Sequence, residues 1–364
     1  MKIAVIAHLK FPIGQPYLGG LEMHTHHLAG ALRQRGHRVT LFASEGSDPL
    51  LVPDPVCPPT GDALGDPVLC ETIERAEFQA YERIMEAVAR GGFDIVHNNS
   101  LHDLPLRASN DLSVPMTTAL HTPPFESLAA GVRAAKPGMI FAAVSPSLAQ
   151  EWRDLVPDAR VIGNGIDLST FAFRAEADPA DYVFWSGRIV PEKGTHLAID
   201  AARDAGLRLR FAGPKPNPRY WDEWIAPRLG DDVSYVGHLS HRDLAHQLGG
   251  ARAAIVSPRW EEPFGLVVAE ALACGTPVAA FGRGAIPDIV DRHSGALAPA
   301  DDVDALARAI QRAVTLDRRA CRRRAETLYD ADVMTDGYEE LYREVLAGAP
   351  ASRVRDAILE RPAA

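Results

Sequence analysis

Two glutamates eight residues apart, Glu262 and Glu270, form the most chemically suggestive pair in the chain. Glu270 interrupts LVVAEALA (266–273), a segment otherwise apolar on every side. A carboxylate in a buried helix must be paired or must face a ligand. Glu262 lies in the loop before that helix, just ahead of Pro263. Eight helical residues rise about 12 Å. Carboxylates so spaced suit two hydroxyl-bearing groups separated by a diphosphate. The N–H groups at Gly265 and Leu266, unused at a helix N-terminus, would face the negative charge between them.

These residues need a scaffold, and the hydrophobic pattern supplies one. KIAVIA (2–7) reads as a buried strand, followed by a loop ending at Gly19-Gly20 and a helix with Leu21, His24, Leu28 and Leu32 on one face. Gly36 stands where that helix should end, and RVTLFA (38–43) is the next strand. Strands are also expected at 93–97, 116–121 and 140–145, a strand running into an Asn-Gly turn over 159–167, and a helix over 71–90. The Pro/Gly/Asp-rich stretch 46–68 reads as loop. The alternation restarts with strands at 181–187, 207–213, 232–237, 253–258 and 277–282, and a helix from Thr195. A last helix is expected over 335–347 and a frayed tail after Pro350. Strand–helix alternation predicts two doubly wound α/β halves joined near 165–180. Such sheets bind ligands beyond the C-terminal ends of their strands. That directs attention to His8, Gly19, Gly20, His97, His121, Arg188, Lys193, Gly213, Gly237 and residues 260–266.

Composition narrows the possibilities. The 364 residues allow about two domains. They are 46% apolar and 24% charged, with a net charge of −10, which argues against a nucleic-acid-binding protein. No apolar run reaches 18 residues, so no membrane-spanning segment is expected, and Lys10 and Pro12 break the opening run too early for a signal peptide. Four separated cysteines predict a reducing, cytoplasmic setting without disulfides.

Residues 257–281, SPRWEEPFGLVVAEALACGTPVAAF, resemble the Glu-x7-Glu signature of retaining GT-B glycosyltransferases of nucleotide-sugar family four. The spacing alone is weak, but the run from Glu262 through Val278 is highly specific. SGRIVPEKGTHLAIDA (186–201), VIGNGIDLSTF (161–171), YVGHLSHRDL (235–244) and Gly19-Gly20 ahead of a helix match other segments of that family. The resemblance implies a GT-B fold, two Rossmann-like domains facing across a cleft. Residues 1–168 would bind the acceptor and 169–334 the nucleotide sugar, while 335–364 would carry a helix returning to the first domain. It further implies that Glu270 holds the ribose hydroxyls and Glu262 contacts the transferred sugar. Phe264, Gly265 and Leu266 would offer backbone groups to sugar and phosphates. Arg188 and Lys193 would neutralise the diphosphate, which Gly19 and Gly20 let the backbone approach. His121 would sit over the sugar ring, and His238 and Leu239 would border the base.

The implied reaction is hexosyl transfer, with retention, from a nucleoside diphosphate sugar to a hydroxyl of a small soluble acceptor. UDP-glucose and UDP-N-acetylglucosamine are the commonest family donors. The N-terminal stretch is similar to subgroups described as tetrahydropterin glucosyltransferases and antibiotic-pathway glycosyltransferases. No Asp-x-Asp metal motif is read in the strand-end segments, so fixed cations are expected to replace a metal, and no cofactor is expected. The alternatives are a non-transferring GT-B enzyme (an epimerase or phosphorylase) and a two-lobed sugar-binding protein. The oligomeric state is left open. His24, His26 and His27 read as packing or cleft residues, and His8, His97, Asn98, Asn99 and His102 as candidates for an acceptor pocket. Cys274 reads as a small buried hydrophobe, and Arg318, Arg319, Arg322, Arg323 and Arg324 as a solvated, salt-bridged face.

Overall fold

The computed structural model describes residues 1–63 and 65–348; the tail expected to fray after Pro350 lies outside the described residues. Seven parallel strands form the first sheet: β1 (Lys2–Ile6), β2 (Arg38–Ala43), β3 (Pro53–Pro55), β4 (Ile95–Asn98), β5 (Met116–Leu120), β6 (Ile140–Ala143) and β7 (Arg160–Val161). Their order is β3-β2-β1-β4-β5-β6-β7. The second sheet holds β8 (Tyr182–Ser186), β9 (Arg208–Ala212), β10 (Val233–Tyr235), β11 (Ala254–Val256), β12 (Val278–Phe281) and β13 (Gly295–Ala298). Its order is β10-β9-β8-β11-β12-β13, again all parallel. Each sheet reverses its winding beside its first strand, between β1 and β4 and between β8 and β11. Such switch points open a crevice for ligands. The strands read as continuous apolar runs because helices cover both faces.

Two strands escape the hydrophobic pattern. β3 lies in the stretch read as loop; it is a three-residue edge strand whose prolines need donate nothing outward. β13 (GALA) is too short and too weakly apolar to announce itself.

The final helix, Ala331–Leu346, lies against the first domain. Met334, Tyr338, Leu341 and Tyr342 pack with Ile3, Val5, Leu28 and Leu32. His37 and Arg35 add ion pairs to Glu339 (2.7 Å) and Asp332 (2.8 Å). Two chain crossings run side by side, joined by Ile166 N–H to Tyr329 C=O (2.7 Å) and Ala331 N–H to Ile166 C=O (3.0 Å).

The arginine run corrects the sequence reading. It lies on helix Arg318–Leu328, and three of its members turn inward to backbone carbonyls. Arg318 donates to the carbonyls of Arg174 (2.8 Å), Ala251 (2.8 Å) and Gly249 (2.7 Å). Arg322 donates to Ala273 (2.8 Å) and Phe171 (3.0 Å). Arg324 holds Asp291 (2.8 Å) and the Asp288 carbonyl (3.0 Å). Only Arg319 and Arg323 are exposed. Guanidinium bonds to otherwise orphaned carbonyls are worth more than surface ion pairs. Arg318→Ala is therefore expected to lower stability by about 3 kcal/mol, and Arg323→Ala by less than about 0.5 kcal/mol. Urea midpoints of the two variants check this, and equal midpoints would restore the solvated reading.

Candidate active site

The loop after β8 carries both candidate cations. Arg188 is exposed and makes no ion pair among the described residues. A single turn, Pro191–Lys193, then ends at Gly194, whose φ of +65° suits glycine. A Cβ there would lie 2.1 Å from the Ser257 carbonyl oxygen. The Ser257 hydroxyl bonds the Gly194 carbonyl (3.0 Å), and Arg259 N–H bonds the Glu192 carbonyl (2.7 Å). The loops after β8 and β11 are thereby laced together. This lacing brings Lys193 Nζ to 2.7 Å from Glu262 Oε2. Trp260 supports the pair from below. Its Nε1–H donates to the same oxygen (3.0 Å), and its ring centroid lies 4.7 Å from Nζ. Behind Glu262, Gly284 leaves room that a Cβ would fill at 2.3 Å from the Glu262 backbone.

Four residues later the helix Leu266–Ala273 begins. Gly265 precedes it without a side-chain cap; Val268 N–H bonds the Gly265 carbonyl (2.9 Å), and the Leu266 and Val267 N–H groups stay available. Glu270 is 4% exposed, and its carboxylate makes no hydrogen bond or ion pair among the described residues. Burial alone pushes its pKa up from 4.5 to about 7. The far end of the helix is tied down by Arg322 on the Ala273 carbonyl.

The first domain meets this helix end-on. Gly19 caps helix Gly20–Gln34, also without a side-chain cap. A Cβ on Gly20 would lie 2.5 Å from Leu266 Cδ1, so the Leu266 side chain would have to turn aside to admit one. The positive ends of two helices, about half a charge each, thus point toward the same cleft. Ser145 Oγ–H reaches the Pro263 carbonyl from the first domain (2.6 Å), and Phe264 is buried against Gly163 and Tyr329. His121, just past β5, is 9% exposed. Its Nε2 lies 3.0 Å from Asn99 Oδ1. Burial, then the neighbouring His97 and His8, push its pKa down to about 3, so the ring is neutral.

Lys193, Glu262, Phe264, Gly265, Leu266, Gly19 and Gly20 are therefore joined through contacts around one cleft. His238 stands apart: it is exposed, and its ring makes no hydrogen bond among the described residues. Leu239 packs at the edge of the core, and the adjoining Gly237 carbonyl accepts from Gly213 N–H (2.9 Å). Sequence reasoning gives Trp260 no role, although it lies in the 260–266 stretch, and misses Ser257 and Gly284, each of which acts on a residue of another loop. Asn99 stood in view, in the polar cluster that ends β4, but its bond to His121 did not.

Residues 18–170 match glycosyltransferase family 4, and residues 170–328 match glycosyl transferases group 1. The chain is a GT-B glycosyltransferase of group 1. The glycosyltransferase is 29% identical to a glycogen synthase of Mycobacterium tuberculosis, covering 85% of each chain. It is 29% identical to a phosphatidyl-myo-inositol mannosyltransferase of Mycolicibacterium smegmatis, over 85% of this chain and 84% of that one. Among solved structures it overlays Anabaena Alr3699/HepE in complex with UDP, with a TM-score of 0.74 and 18% identity. That overlay covers 94% of this chain and 100% of the other, a likeness of fold.

The raised Glu270 pKa has a consequence for stability. Between pH 4.5 and about 7 the folded glycosyltransferase holds a proton that the unfolded chain has released. Stability from the protonated carboxyl is full below pH 4.5 and is lost as pH rises through 7. Glu270→Gln should remove this slope and make the ligand-free protein more stable at pH 8, by up to about 3 kcal/mol. Urea unfolding at pH 5 and pH 8 tests this, and an unchanged slope in the variant would refute it.

Proposed function

We propose that this glycosyltransferase moves a hexosyl group, with retention and without a metal, from a nucleoside diphosphate sugar to a hydroxyl of a small soluble acceptor. The observation that carries the reading is Glu270: a buried carboxylate without a protein partner, on a helix whose N-terminus is open. Two donating hydroxyls, such as a ribose diol, would satisfy it and stabilise its charged form.

The other groups fit around that anchor. The diphosphate takes the N-terminus of helix Leu266–Ala273, with Arg188 free to swing onto it. Lys193 also serves the diphosphate, which requires it to leave Glu262; the released Glu262 then accepts from hydroxyls of the transferred sugar. Cleavage sends the glycosidic electron pair to the phosphate oxygen. The acceptor hydroxyl attacks from the same face, and its proton passes to that oxygen. No side-chain nucleophile is needed. The work of the protein is to stabilise the leaving charge with fixed cations and backbone dipoles, each worth roughly 10²–10³ in rate. Gly19 and Gly20 keep the first-domain backbone close to that charge, and His121 faces the sugar. His238 and Leu239 border the base.

For the donor we favour UDP-glucose, supported by the UDP-bound structural relative. GDP-mannose is the alternative suggested by the mannosyltransferase relative. The four free cysteines suit a cytoplasmic reaction. The acceptor is assigned to the first domain; Asn99, fully buried, supports His121 and does not line the pocket.

Thermal shift with UDP, GDP, ADP and dTDP, each with Mg²⁺ or EDTA, tests this. One nucleotide at 100 times its Kd should add about 2.7 kcal/mol, or roughly 5–10 °C, independent of metal. Lys193→Ala should abolish the shift. Binding near pH 7 should release a proton from Glu270, seen as a buffer-dependent enthalpy in calorimetry. No shift with any nucleotide in a folded protein overturns the proposal.

A further inference from the structure

Beneath the cleft, four side chains form a hydrogen-bonded row that crosses from the C-terminal helix to the end of β5. Tyr342 OH lies 2.9 Å from His97 Nδ1. His97 Nε2 lies 2.9 Å from Asn99 Oδ1. The same oxygen lies 3.0 Å from His121 Nε2. Asn99 Nδ2 donates to Thr25 Oγ1 at 3.3 Å, which fixes the orientation of the amide. His97 and Asn99 are fully buried, as is Tyr342.

The proton positions follow from this geometry. A carboxamide oxygen only accepts, so both imidazole Nε2 atoms must carry the hydrogen. His97 is neutral, because burial holds its pKa down to about 4. Its Nδ1 is therefore a lone pair, and the Tyr342 hydroxyl donates to it. Burial also raises the Tyr342 pKa, so the phenol stays protonated. His121, neutral in turn, must have a bare Nδ1. That nitrogen has no protein partner among the described residues. Unlike both ring nitrogens of His24, it is not sealed from solvent. The His24 ring packs 4.5 Å from that of His121, and Tyr338 lies 5.7 Å from His24. Neither offers a carboxylate that would favour an imidazolium.

We propose that Tyr342, acting through His97 and Asn99, is a positioning residue that locks His121 in its Nε2–H tautomer, so that Nδ1 faces the cleft as a hydrogen-bond acceptor. The lock selects the chemical class of its ligand: a hydroxyl that donates to Nδ1 is accepted, and a carboxylate or carbonyl oxygen is refused. This rests on the reading that His121 faces the transferred sugar. It implies a donor with a free hydroxyl at that point of the ring and not a uronate. It also gives the C-terminal helix a catalytic purpose beyond covering the first domain.

The test uses the full chain labelled with ¹⁵N-histidine. Two-bond ¹H–¹⁵N correlations report the tautomer of His121 directly, assigned with His121→Gln. At pH 7 the native protein should show a protonated Nε2 and a bare Nδ1, unchanged down to pH 5. Asn99→Leu should give mixed tautomers, and Tyr342→Phe should broaden or shift the His97 and His121 resonances. Asn99→Asp keeps the acceptor and should keep the tautomer, while bringing an imidazolium into the range above pH 5. UDP-glucose hydrolysis, with water as acceptor, should fall about 10²-fold in kcat for Asn99→Leu. Affinity for UDP alone should stay within twofold in the Asn99 and Tyr342 variants. A native His121 protonated on Nδ1, or a tautomer indifferent to both Asn99→Leu and Tyr342→Phe, overturns the inference. Loss of UDP binding by the native protein would instead overturn the transferase reading and leave the tautomer result standing.

Discussion

An eight-residue helix must present a bare carboxylate in an apolar interior, and the second domain is arranged around that constraint. Two turns of helix are far below the length that is stable alone. Leu266–Ala273 is held by its surroundings instead. Packing against Phe264, Ile289 and Cys321 covers its sides. Arg322 takes up the Ala273 carbonyl that its C-terminal end cannot satisfy. The N-terminal end is left without any such partner. A helix pinned at its negative end and open at its positive end is a fixed dipole, the arrangement the proposed reaction would use. Glu270 can stay unpaired because the fold supplies the free energy of its burial elsewhere.

The Lys193–Glu262 pair adds a second kind of preparation. Without a donor, each charge serves as the other's counter-ion, with Trp260 stacked beneath. Leaving either bare in a half-buried site would be expensive. A diphosphate and a sugar hydroxyl together can replace both partners at once, whereas a free sugar or a free phosphate replaces only one. On the proposed reading, the pair would favour the complete donor over its fragments. Gly194, Ser257 and Gly284 set this geometry.

The first domain contributes shape and neutral polarity. Its glycine loop approaches Leu266 closely, and His97 and His121 are held uncharged by burial. A net charge of −10 does not prevent Arg188 and open helix ends from setting a local positive field, because such groups act over a few ångströms while remote acids are screened. The C-terminal helix closes the circuit, binding the sheet of the first domain and reaching the buried histidines below the cleft.

The sequence alone determined the two doubly wound halves, because parallel strands buried on both faces write themselves as short apolar runs. It also marked Glu270, since a charge inside an apolar helix is visible in one dimension, and Glu262 by its spacing from Glu270. Pro53–Pro55 stayed hidden because prolines at a sheet edge carry no strand signal. The direction of the arginines was equally hidden: a basic run on a helix looks the same whether it meets water or carbonyls. Arg318, Arg322 and Arg324 turn inward only because chain ends from four other segments arrive beneath them. Tyr342 and His97 stand 245 residues apart, and no periodicity pairs them. Periodicity states which side of an element is buried. Which partner meets it there, and so where each proton and charge resides, is decided only when the chain closes on itself.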